Sequence, residues 1–423
     1  VRWAREAGVE VVTLVAPADG DAEWPEAADF ASFVPEVPGV VWPAPERVVA
    51  AAMDAGCDLV HPGWSELARN PGMVDHLALT SLAWAGSGVR ATGTVSDRAI
   101  SREHAVDNGI PVVPGSLPAS TVDEGMAWVD QSGLPVIVKP VDVVQRAGRG
   151  VATTRAEALR ELEVALEHGP VLVERHVVGA REVEVPLLMD DSGACWTLGD
   201  REVGTRGRWG RLVVESPAPA IDGERRAQMH AAARSFATSL RFRGLGSARF
   251  LVPEDGRPYF LQLRPGLQPW HGVTERRFGV DLVDAQVRVA MGEGLGWTDA
   301  PEPVVAAALW AGLYSATSGE VRSLRCGAAA ARLERGVVEG DPVRPGELVG
   351  SLTVAGPTRT AALVLLRAAS QGVVLEGAEL ERGELDRLID HAPFWRGPLD
   401  RDRAAALLTG ASGSGIAPGE RAR

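Results

Sequence analysis

A chain of 423 residues is too long for one hydrophobic core and implies two or three domains. Its 45% hydrophobic and 23% charged content suits a soluble globular protein, and no apolar run, Val304 to Leu313 included, approaches the roughly 18 residues of a membrane span. A net charge of -13 argues against general nucleic-acid binding, since a phosphate backbone demands a positive footprint.

The opening residues carry no signal-peptide pattern, so the expected location is the cytoplasm, with neither membrane nor nucleic acid as partner. Val1 to Ala7 reads as a helix that no strand precedes, which leaves the first strand of the expected sheet missing. Val11 to Ala16 is a strand ended by Pro17. Pro45 to Ala55 is an amphipathic helix with proline at its start, and Cys57 to Val60 is the next strand. This alternation predicts a doubly wound parallel sheet.

Ser96 to Asn108 reads as a helix closed by Gly109 and Pro111. A small α/β unit follows: the strand Pro135 to Lys139, a Gly/Arg loop to Gly150, the helix Arg155 to His168 and the strand Val171 to Arg175. Strands at Glu182 to Met189, Ala194 to Leu198 and Arg211 to Glu215 then alternate in antiparallel fashion. The helix Gly223 to Leu240, strands Gly246 to Val252 and Pro258 to Leu263, and a helix Val280 to Met291 complete the middle of the chain. Pro301 and Pro303 mark a linker. Beyond it lie short strands and a helix near Arg359 to Ala369, and the Gly/Ser/Pro-rich stretch 411–423 is expected to be disordered. Cys57, Cys195 and Cys326 lie too far apart for a zinc or disulfide framework.

Of the 43 basic residues only Lys139 is lysine. A G+C-rich genome accounts for the bias, and under it a surviving lysine points to a task that arginine cannot do. A compact ammonium fits beside a phosphate where a planar fork does not.

Seven stretches, in order, resemble one family. His61-Pro62-Gly63-Trp64 and Ile110 to Ser116 (IPVVPGS) are similar to segments of biotin carboxylases, as are Pro217-Ala218-Pro219, Arg243 to Gly246 (RGLG) and His271 to Glu275 (HGVTE). Leu134 to Lys139 (LPVIVK) resembles the ATP-grasp strand that delivers a phosphate-binding lysine, and Val173-Glu174-Arg175 the adenine hinge. The resemblance implies a mixed α/β and α+β fold. Its parts are a doubly wound pre-ATP-grasp domain (1–93), an ATP-grasp domain (94–295) with a lid at about 111–176, and a biotin-carboxylase-type C-terminal domain (301–408).

By the same resemblance Lys139, Arg98, Gly148, Gly150, Glu174, Val177, Leu251 and Leu261 surround a nucleotide. Bulky residues from Val141 to Arg146 replace the glycines that precede Gly148 and crowd the phosphate loop. The family's metal ligands fall at Arg249, Gln262 and Arg264, which are two cations and an amide where magnesium wants carboxylates. Its bicarbonate-orienting arginine falls at Gly266, its general base at Trp270, an active-site lysine at Arg211 and a pocket histidine at Trp209. Arg332 and Gln268 match residues of the biotin and bicarbonate pocket, so Arg249, Arg264, Gln268 and Arg332 are the anion candidates.

Three readings stand. The chain is a non-catalytic subunit that forms a homodimer, or a heterodimer with an active biotin carboxylase or carboxylase complex. Alternatively it is a binding module whose arginines hold an anion. The third is an active carboxylase of the acetyl- or propionyl-CoA carboxylase type with altered metal use. ATP or another nucleotide is the expected ligand, magnesium is not expected, and no covalent biotin is expected because the only lysine lies in the lid strand.

Overall fold

The computed structural model describes residues 2–15, 28–33, 44–63, 65–142 and 149–409. Trp64, the loop residues Val143 to Gly148 and the segment 411–423 therefore lie outside the described residues.

The first part of the chain holds two parallel strand pairs, Val12–Val15 with Phe30–Phe33 and Leu59–Val60 with Ala83–Trp84. The helix Pro45–Asp54 starts on the proline expected at a first turn, where no N–H partner is needed. It buries Val48, Val49 and Ala52 against Met73, Val74 and Leu77. The helix expected over Ser96 to Asn108 is present as Arg98–Asp107, and a separate helix, Val89–Ser96, precedes it. Asp97 separates them in an extended conformation, and its carboxylate accepts hydrogen bonds from the Ala99 and Ile100 N–H groups.

Val136–Pro140 lies between Gly150–Ala152 and Val171–Arg175 in an antiparallel three-stranded sheet. Helices Val122–Ser132 and Arg155–Leu166 back this sheet, each opened by a reciprocal capping box, Thr121 with Glu124 and Thr154 with Glu157.

A nine-stranded antiparallel sheet dominates the rest. Its order is Tyr259–Pro265, Gly244–Val252, Arg181–Met189, Arg201–Glu202, Val213–Ser216, Ala307–Tyr314, Leu348–Gly356 and Arg332–Arg335, with Cys195–Thr197 paired to the Arg181–Met189 strand. The segment around Pro301 and Pro303 thus leads from the helix Leu282–Ala290 into Ala307–Tyr314, a strand of this same sheet. Strand alternation then sorts the side chains. Val183, Val185 and Leu187 join Ala248, Phe250, Phe260 and Leu263 in a core beneath the helix Gly223–Leu240. The intervening Glu182, Glu184 and Arg249 face the other way, toward the three-stranded sheet. The two sheets close on each other there.

Candidate functional site

Between the sheets lies a cleft. Lys139 and Glu174 line it from the smaller sheet, with Arg149 just before its strand Gly150–Ala152, and Glu182, Arg249, Gln262 and Arg264 from the larger one. Arg98 and Arg102 enter from the Arg98–Asp107 helix, and Arg69 closes one side. Seven cations meet two carboxylates, in a chain whose overall charge is negative. A contiguous pocket is lined by Ile137, His176, Val177, Leu251 and Leu261 and shares Lys139 and Glu174 with the cleft. The sequence-expected nucleotide residues Lys139, Arg98, Glu174, Val177, Leu251 and Leu261 thus converge on these two spaces. Gly150 is a strand residue opposite Val138, and Gly148 lies outside the described residues.

Lys139 is buried, and its ammonium donates to the Glu174 carboxylate. Arg102 approaches the same carboxylate at 3.5 Å. Gly115 makes this possible, because a Cβ there would stand 2.8 Å from the Glu174 Cγ. Burial pushes the Lys139 pKa down, and Glu174 opposes that shift. For Glu174 burial raises the pKa, but Lys139 and Arg102 outweigh it and hold the carboxyl below its ordinary range.

The larger sheet carries a row of four paired residues: Arg201, Glu184, Arg249 and Gln262 stand side by side on four adjacent strands. Glu184 is fully buried and accepts from Arg249 at 2.6 and 3.1 Å, from Arg201 at 3.1 Å and from the Trp270 indole at 2.9 Å. Glu182 accepts from Arg211 at 3.0 Å and lies 3.6 Å from both Arg249 and Arg206. Burial alone would raise the Glu184 pKa; Arg249 and Arg201 drive it far below the usual carboxylate range. Arg249 in turn is held above its ordinary value, because Glu184 and Glu182 outweigh its burial.

Arg264 is different. Its one hydrogen bond is a long one, 3.4 Å to the Gln268 side chain, and its buried Nε has no partner among the described residues. Burial and the nearby Arg249 push its pKa well down, with only Glu184 opposing.

The remaining sequence candidates settle as follows. Arg211 stacks on Trp270 at 4.9 Å, and burial with Arg249 nearby lowers its pKa to about 9. Gly266 has φ +77, a conformation that favours glycine. Arg332 pairs with Glu275 at 2.6 Å in a separate cleft beside Trp3 and His271, away from the other anion candidates. Trp209, expected at a nucleotide pocket, lines neither space; it is exposed and packs on the turn at Gly346, because the strand that would carry it inward begins only at Val213. Sequence reasoning missed Glu182, Glu184 and Arg201. The signal was present in Glu182-Val183-Glu184, an alternation that puts two carboxylates on one face of a strand.

Magnesium takes oxygen donors at close to octahedral geometry. The row offers it one amide, from Gln262, and the carboxylates within reach already face guanidinium groups. No cluster of three His, Cys, Asp or Glu suited to a metal occurs among the described residues. The donor set does not fit a magnesium ion.

Two sheets closed over a cleft with a strand-borne lysine define the ATP-grasp class. Residues 1–91 match the family model for the biotin carboxylase N-terminal domain, and residues 97–298 match that for the carbamoyl-phosphate synthase L chain ATP-binding domain. Biotin carboxylase 1 of Bacillus subtilis is 28% identical over 423 residues, covering 95% of this chain and 94% of that protein. The biotin-dependent acyl-coenzyme A carboxylase alpha3 subunit of Mycobacterium leprae is 30% identical over 72% of this chain and 52% of its own length. Among solved structures, the biotin carboxylase domain dimer of Hydrogenobacter thermophilus 2-oxoglutarate carboxylase, in complex with MgADP, ADP and bicarbonate, shares the fold at a TM-score of 0.88 and 23% identity. That alignment covers 95% of this chain and 93% of the other. The Campylobacter jejuni biotin carboxylase also aligns at 0.88, with 22% identity over 95% and 94% of the two chains. The chain belongs to the biotin carboxylase branch of the ATP-grasp family. No helix among the described residues is long and apolar enough to cross a membrane.

Proposed function

We propose that this protein is a non-catalytic member of its family, a subunit that serves a biotin-dependent carboxylase by association. The observation that carries the reading is Arg249. It stands opposite Gln262 and is ion-paired to Glu184 and Glu182, at positions where the resemblance places metal ligands. Phosphoryl transfer from ATP rests on positioning and on charge neutralisation by magnesium, and this arrangement offers no comparable site. Trp270 supports the same reading: an indole donates a hydrogen bond to Glu184 and accepts no proton, so it cannot replace a general base.

The family-model matches at 1–91 and 97–298 favour a pre-ATP-grasp part at 1–93 and an ATP-grasp part at 94–295, which leaves 301–408 as the proposed C-terminal part. The Hydrogenobacter relative is described as a dimer, which favours self-association or pairing with an active relative.

The test is bicarbonate- and biotin-dependent phosphate release from MgATP by the purified chain, with free biotin as acceptor. The expected rate equals that of a protein-free control. A rate comparable to that of an active biotin carboxylase assayed alongside would overturn the proposal.

A further inference from the structure

We propose that the two-residue strand Arg201–Glu202 is a proton-controlled joint between the two sides of the large sheet, shut while Glu202 carries a proton and loosened when that proton leaves. The device works whether or not the chain is catalytic.

The sheet order makes the joint. Tyr259–Pro265, Gly244–Val252 and Arg181–Met189 form one side, and Val213–Ser216, Ala307–Tyr314, Leu348–Gly356 and Arg332–Arg335 form the other. Among the described residues Arg201–Glu202 is the strand that connects them. It pairs with Arg181–Met189 at two positions and with Val213–Ser216 at one, where Glu202 stands opposite Glu215. Two further bonds help, from the Leu212 N–H to the Thr205 carbonyl and from the Ser216 hydroxyl to the Asp200 carbonyl. With so little backbone pairing, the joint depends on its side chains.

Those side chains include two opposed acids. Residues directly opposite in an antiparallel ladder share a face, with Cβ atoms about 5 Å apart, and like charges there repel. Glu202 and Glu215 are both buried. Each has one arginine, but the two carboxyls are not served alike. Glu215 uses both oxygens, accepting from Arg359 at 2.7 and 3.2 Å. Glu202 offers only Oε2 to Arg181, at 2.9 and 2.5 Å, and Arg181 also donates to the Pro219 carbonyl at 2.6 Å. The Glu202 Oε1 is buried without a hydrogen-bond partner among the described residues. The Gly204 N–H lies near it but makes no hydrogen bond of good geometry. An anionic oxygen in that position is costly, and a proton on it removes both the charge and the repulsion from Glu215.

The neighbouring charged groups are committed elsewhere. Asp200, two residues earlier on the same face, accepts from Arg226 and lies 3.9 Å from His230. Arg201 points to the other face and donates to Glu184. Burial accordingly raises the Glu202 pKa to about 7, with Arg181 opposing and Glu215 adding to the rise. Once the joint opens to water, Glu202 titrates near the ordinary value of about 4.3. The closed joint therefore binds a proton that the open joint releases, and opening becomes easier as pH rises through about 7.

The joint touches two distant regions. Arg359 begins the helix Arg359–Gln371 and also donates to the Trp395 carbonyl, so Glu215 ties the sheet to the helices that follow. Arg201, on the same two-residue strand as Glu202, holds Glu184, the acid that binds Arg249 in the cleft. Loosening the strand thus frees the cleft floor and the C-terminal side together.

Hydrogen exchange of the whole chain, read by mass spectrometry at about pH 6 and about pH 8 and corrected for intrinsic amide rates, tests the joint. Linkage through a pKa near 7 gives about a tenfold loss of protection over residues 201–216 between the two conditions. At the higher pH these residues should exchange faster than the strand Gly244–Val252, the mark of local opening without unfolding. E202Q, which has no proton to lose, should be equally protected at both. E215Q should move the loss to lower pH, because it removes a charge that helps Glu202 keep its proton. Should either variant fold poorly by circular dichroism, infrared spectra of the unaltered chain still decide. They should show the C=O band of a protonated carboxylic acid that fades between the same two pH values. Protection of 201–216 that ignores pH, exchange there no faster than in Gly244–Val252, a loss that persists in E202Q, or absence of the acid band at the lower pH would overturn the proposal.

Discussion

Glu184 holds the centre of the molecule electrostatically, because two guanidiniums and an indole converge on one fully buried carboxylate. Removing a single partner from such a buried ionic group leaves uncompensated charge and typically costs about 3–5 kcal/mol. Glu184→Gln should therefore lower stability by about that amount in urea unfolding. Arg249→Glu, which would return a carboxylate to the sheet row, should also destabilise, because it places a third acid beside Glu182 and Glu184. A stable Arg249→Glu protein would show that the ionic row matters less than its burial suggests.

Glu202 contributes a pH dependence of its own. Burial raises its pKa to about 7, against the attraction of Arg181, and Glu215 adds to the rise. The folded chain thus holds a proton that the unfolded chain releases near the ordinary carboxylate value. This contribution is fully present below about pH 4.3 and is lost as pH rises through about 7. Melting temperature should fall across that window in wild type, and Glu202→Gln should flatten the fall. An unchanged slope would count against the assignment.

Among the elements, those with strong local signals were legible from the chain alone. The strand Val171–Arg175 and the helix Gly223–Leu240 have the expected bounds, the helix because Asp222 caps it and Arg241 ends it in a left-handed turn. The helix expected over Ser96 to Asn108 runs over Arg98–Asp107 because the Asp97 carboxylate caps it, whereas the preceding helix Val89–Ser96 was not expected. The short helix Gly272–Phe278 was seen only as a motif. The strand Ala307–Tyr314 was noticed only as an apolar run, and its place in the large sheet depends on pairing with segments about a hundred residues upstream and forty downstream. In the site, Lys139, Arg249, Gln262 and Arg264 were found by type and position. What they touch was not legible, because Glu182, Glu184 and Arg201 reach Arg249 and one another only through sheet register.

The sheet itself makes a prediction. Val213–Ser216 pairs on one edge with Ala307–Tyr314, so ending the chain at residue 300 would expose that edge and part of the core around Leu212 and Val213. The shortened chain should aggregate or lose cooperative unfolding, measured by light scattering and a urea titration. A soluble, cooperative fragment would show that the two sides fold independently.

The whole molecule combines a net charge of -13 with an inward cationic cleft, so its positive potential is focused on the space between the sheets. In the proposed reading the outer surface serves association. Co-expression with carboxylase subunits should yield a complex by affinity capture and light scattering; a monomer that captures none would oppose a subunit role.

The central claim is that the arginine row stands where relatives would carry a metal. It is tested most directly by diffraction from crystals soaked with ADP and manganese, using the anomalous signal of the ion. The account expects no anomalous peak within coordinating distance of Gln262, with Arg249 still bonded to Glu184. A manganese peak bound between Arg249 and Gln262 would contradict it.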